Sequence, residues 1–63
     1  MAQITGKELA AINDLLNYEQ AAYKNCASIS QNITDKKVKQ TLKQAGESHR
    51  KRFDDLMSFL SKE

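Results

Sequence analysis

Glu19 and His49 stand apart from their setting in this 63-residue chain, because each interrupts the middle of an otherwise apolar helical stripe. A carboxylate and an imidazole can form a buried hydrogen-bonded pair, or supply oxygen and nitrogen ligands to zinc, iron or manganese. Thr34 lies midway between them. A chain that folds back at that point therefore brings the two side chains to the same depth. Other reactive groups are less well placed. Cys26 falls on the stripe with no basic neighbour there to lower its pKa, and so reads as a small buried hydrophobe. It lies about two helical turns from His49 in depth, too far for a direct dyad. Tyr18 and Tyr23 flank Glu19 and read as flank and core, and Met57 reads as core filling.

Two long helices are needed to position this pair. Thr5-Gly6-Lys7-Glu8 has the form of a capping box, and Ile4 and Leu9 stand at the spacing of a hydrophobic staple. From Leu9 the apolar residues Ile12, Leu16, Tyr23, Cys26 and Ile33 recur at helical steps, and Leu15, Ala22 and Ile29 widen the stripe. Helix 1 is predicted over about 6–32, roughly 40 Å long at 1.5 Å per residue. Gln31 to Asp35 is a polar, cap-rich break. Either Thr34 or Asp35 can cap the next helix, with Thr34 preferred because it makes a second staple of Ile33 and Val38. Helix 2 is predicted over about 36–61, with Val38, Leu42, Ala45, His49, Phe53, Leu56 and Leu60 along one face. Gly46 lies on the same face one turn before His49, where glycine costs about 1 kcal/mol relative to alanine. Close approach of another helix is one reason for it.

The predicted fold is all-α: one domain over 1–63, an antiparallel two-helix hairpin. Equal depth pairs Ile12 with Leu56, Cys26 with Leu42, Tyr23 with Ala45, and Glu19 with His49. One neighbouring helix cannot hide so wide an apolar face, and a lone chain of this length is marginal. A homodimer forming a four-helix bundle follows as the expectation.

Composition narrows the function classes. There is no proline, and the single cysteine cannot form an internal disulfide. The N-terminal stretch lacks the basic leader and apolar core of an export signal, so a cytoplasmic location is expected. Asn32-Ile33-Thr34 fits a glycosylation sequon, which without such a signal reads as coincidence. No segment has the apolar length of a membrane span. The net charge of +2 is modest. The Lys36, Lys37, Lys39, Lys43 cluster and the Arg50-Lys51-Arg52 run read as solvated faces, with no nucleic-acid partner expected.

Residues 6–26 and 45–57, GKELAAINDLLNYEQAAYKNC and AGESHRKRFDDLM, resemble the ferritin-like superfamily, in particular small bacterial proteins similar to spore coat protein F. The resemblance implies a hairpin that supplies one Glu from its first helix and a Glu-x-x-His from its second, two hairpins enclosing a dinuclear metal centre. Glu19 matches the first Glu and His49 the histidine. Gly46 stands where the second Glu belongs, and Glu47 points about 100° away. Oxygen activation is therefore not expected. Two readings of Glu19 and His49 remain: a buried polar pair, which is preferred, or ligands to a single Zn, Fe or Mn ion per dimer. No other cofactor is expected. The implied function is a noncatalytic structural or interaction protein, open to other protein partners and to spore association by resemblance alone, with a ferritin-like metal binder as the alternative.

Overall fold

The computed structural model describes residues 4–62. Residues 1–3, part of the stretch read for an export signal, and Glu63 lie outside the described residues. Two helices, α1 (Gly6–Ser30) and α2 (Lys36–Ser61), pack against each other, and the described residues include no strand.

The N-terminus of α1 forms as its residue types require. The Thr5 hydroxyl accepts from the Glu8 amide at 3.1 Å, and the Glu8 carboxylate accepts from the Thr5 amide at 3.0 Å. Both amides would otherwise lack an intrahelical partner. These two contacts hold the Glu8 carboxyl below the usual carboxylate range.

Helix α1 ends at Ser30, two residues before the expected 32. The amides of Asn32 and Ile33 turn back to the carbonyls of Ile29 and Ser30, which tightens the last turn. The buried Ser30 hydroxyl donates to the Ala27 carbonyl at 2.9 Å. At the other side of the link the expected cap is corrected. Asp35, not Thr34, is the N-cap of α2, in an extended conformation with its carboxylate accepting from the Val38 amide at 3.0 Å. A carboxylate offers the same hydrogen bond as a hydroxyl and adds charge at the positive end of the helix. With Asp35 as cap, Ile33 and Val38 no longer stand at staple positions. Asp35→Ala is therefore expected to cost about 1 kcal/mol. Thr34→Ala should stay within about 0.5 kcal/mol of the parent. Urea unfolding of the two variants side by side checks the assignment.

The hairpin measures 47 × 16 × 11 Å. Gly46 permits a close approach: a Cβ there would sit 3.2 Å from the Cys26 Cβ and 3.8 Å from the Tyr23 carbonyl oxygen. Cys26 thus meets Gly46, one turn beyond the Leu42 that equal depth pairs it with. Helical side chains lean toward their own N-termini, so contacts across an antiparallel pair fall later in both helices than the backbone register suggests. The ring of Tyr23 correspondingly meets Phe53, edge to face at 5.9 Å.

The apolar stripe is mostly not a core. Leu16, 9% exposed, is the one buried hydrophobic residue among those described. Met57, expected to fill the core, is instead half exposed, as are Leu9, Leu15, Ile29, Val38 and Phe59. Each helix has a single neighbour, so side chains to either side of the contact line face water.

Candidate functional site

The hairpin brings Glu19 and His49 into direct contact midway along its length. Glu19 Oε1 lies 2.5 Å from His49 Nδ1, across thirty residues of sequence. A carboxylate has no proton to give, so Nδ1 carries it and donates. Glu19 is only 7% exposed, more buried than any hydrophobic residue described.

Arg52 completes the site, and sequence reasoning missed it. Its Nε donates to Glu19 Oε2 at 3.2 Å, giving each carboxylate oxygen its own donor. The guanidinium also lies 3.2 Å from His49 Nδ1. With the Nδ1 proton committed to Glu19, that approach is a contact rather than a second hydrogen bond. The signal was present in the spacing: Arg52 follows His49 by three residues and so shares its face. Its neighbours behave as the solvated run they were read to be. Arg50 pairs with Asp54 and Lys51 with Asp55, both on the exposed helix surface. Such pairs contribute little.

Electrostatics follow from the contacts. The His49 hydrogen bond is the main cause holding the Glu19 carboxyl below its ordinary pKa; burial pushes the other way, and the charge and hydrogen bond of Arg52 add to the lowering. Tyr18 stands edge-on to the imidazole, with ring centroids 6.2 Å apart. Nε2 of His49 makes no hydrogen bond within the described residues, which leave no buried polar side-chain atom unpaired, so this nitrogen opens to water.

This donor set does not fit a metal ion held between Glu19 and His49. Both carboxylate oxygens are engaged, the near imidazole nitrogen carries a proton, and a guanidinium stands beside them. A metal ligand must present a lone pair, and a fixed cation repels an incoming one. Among the described residues no three His, Cys, Asp or Glu side chains converge as a metal-binding group.

Gly46 stands against Cys26 of the facing helix. An added Cβ must push against the Cys26 Cβ, and both atoms are fixed to helix backbones. Gly46→Ala should leave stability near the parent value, because about 1 kcal/mol gained in helix propensity offsets the crowding. Gly46→Leu should cost roughly 1–3 kcal/mol, since its branch must enter the same closely packed seam. Thermal unfolding of both variants reads the difference.

A groove of about 680 Å³ lies on the other side of the hairpin, lined by Tyr23, Leu42 and Gly46 with Lys39, Lys43 and Arg50 at its rim. The Arg50 guanidinium sits 5.2 Å from the Tyr23 ring centroid. Neither Glu19, His49 nor Arg52 lines this groove. No described helix is long and apolar enough to cross a membrane. No known protein family, curated protein or solved structure matches the chain.

Proposed function

We propose that this chain is a noncatalytic structural or interaction protein, similar to the small spore coat F-like proteins, that works as a homodimeric four-helix bundle. The observation that carries this reading is the mismatch between apolar surface and core. A compact monomer of 7.1 kDa exposes about 4,100 Å². This hairpin exposes 5048 Å². The excess is comparable to the roughly 800 Å² that each partner buries in a stable interface. Its radius of gyration, 14.6 Å, likewise exceeds the about 10.6 Å of a compact chain of this length. A second hairpin along its length supplies the missing layer.

The site supports the same reading. Glu19, His49 and Arg52 satisfy one another, and none of them lines the groove in which a substrate could sit. Their role is to close the middle of the hairpin around a fixed polar contact. Sedimentation equilibrium across micromolar concentrations should return a dimer mass. A folded monomer throughout that range would sink the assembly. Elemental analysis of protein purified without chelators tests the remainder: a reproducible half mole of zinc, iron or manganese per chain, lost in Glu19→Ala, would favour a metal binder.

A further inference from the structure

The two long sides of the hairpin differ in charge, and that difference selects where the second copy sits. On the groove side, Lys39, Lys43, Glu47 and Arg50 crowd the rim. On the opposite side, Leu15, Tyr18, Ala22 and Ile29 of α1 run at helical steps of three, four and seven. Facing them, Val38, Ala45, Arg52 and Phe59 of α2 recur every seventh residue, the repeat that keeps a seam turned toward a partner helix. Five of the seven large exposed hydrophobics fall here: Leu15, Tyr18, Ile29, Val38 and Phe59. Leu9 and Met57 fall on the groove side.

The charged residue at the middle of this apolar side, Arg52, is already matched. Arg52 is held by Glu19, Asp55 at the outer edge pairs with Lys51, and Lys37 lies at that same edge near the link. Burying an unpaired guanidinium is costly, whereas one that brings its carboxylate with it loses less on leaving water. Tyr18, 63% exposed, lies midway along α1 against the His49 ring. An aromatic side chain fixed at the centre of a patch is the usual anchor of an interface.

We infer that the face carrying Leu15, Tyr18, Ile29, Val38 and Phe59 receives the second copy of this chain, with Tyr18 at its centre and Arg52 buried as a pair with Glu19. This rests on the dimer reading above. The occupant is a second copy because the face lacks the charge pattern that would select an acidic or basic partner. The surface excess of the hairpin also matches what one partner of a stable dimer buries. The rim of lysines and arginine on the other side stays in water.

The test compares residues of similar exposure on the two sides: Leu15 and Ile29 against Leu9 and Met57, all between 43% and 51% exposed. Leu15→Glu and Ile29→Glu are expected to weaken the dimer tenfold or more by sedimentation equilibrium. Leu9→Glu and Met57→Glu should stay within twofold of the parent. Helicity by circular dichroism reports whether each variant folds. Single cysteines placed at the four positions in a Cys26→Ser background give a milder readout. Thiol labelling at 15 and 29 should slow at least tenfold at high protein concentration and recover on dilution, while labelling at 9 and 57 does not change. Protection at 9 and 57 instead would overturn the face while the dimer stands. A parent protein that is monomeric at every concentration overturns the dimer itself.

Discussion

Glu19→Ala should lower the urea midpoint at pH 7 more than His49→Ala, and His49→Ala more than Arg52→Ala. The order follows from what each truncation leaves behind. Without Glu19, the His49 Nδ1–H loses its acceptor inside the hairpin, Arg52 loses its counter-charge, and a void opens at a buried position. An unmatched buried donor costs more than the intact hydrogen bond contributes. Without His49, the carboxylate keeps Arg52 and water can enter through the half-buried imidazole site. Without Arg52, whose side chain is 57% exposed, only the outer oxygen is freed, and it can turn to solvent. Equal effects for the three variants would mean that the contacts do not act as a unit centred on Glu19.

The same contacts set a pH dependence with a definite sign. The folded-state pKa of Glu19 is depressed, chiefly by the His49 hydrogen bond. Stability from this group is therefore fully present above the unfolded-state glutamate value, about 4.3, and is lost as pH falls through the lower folded-state value. Glu19→Gln isolates the effect, because glutamine has the shape of the protonated acid. The midpoint difference between parent and Glu19→Gln should shrink as pH falls below about 4.3. Glu8, whose carboxyl is lowered by its cap contacts, is common to both proteins and cancels in the difference. A difference that persists unchanged well below that range would rule out ionised Glu19 as the source.

The sequence carried the features written in local spacing. Thr5 and Glu8 announce the start of α1 because both halves of the capping box lie within one turn. Glu19 and His49 are legible as a pair because polar residues interrupting two apolar stripes, equidistant from one polar link, can meet only in a hairpin. Arg52 was not legible in that way. Its long side chain can reach water or reach inward, and only the position of a carboxylate on another helix decides between them. The choice of Asp35 over Thr34 was hidden for a related reason, since both can cap and the path of the link determines which residue is extended. Gly46 could be read as a close approach, but naming Cys26 as its neighbour required the lean of side chains along both helices.

Leu16→Ala should cost roughly 2–3 kcal/mol, the lower part of the range for a buried leucine, because a two-helix hairpin admits water or closes around the gap. The total stability of a 63-residue domain is about 3–9 kcal/mol. One substitution therefore removes a large share of it, because no second buried hydrophobic residue is described to compensate. Leu9→Ala is the matched control: the same atoms leave a residue 43% exposed on the groove side, at an expected cost below about 1 kcal/mol. Protein concentration adds a second dimension to this comparison. If the folded form is a dimer, mass action raises the unfolding midpoint of the parent and of Leu16→Ala together as concentration rises. The gap between them should then stay constant, since Leu16 acts within one hairpin. A gap that closes at high concentration would place Leu16 in a hairpin that the partner reshapes, and its burial within one chain would no longer explain the loss.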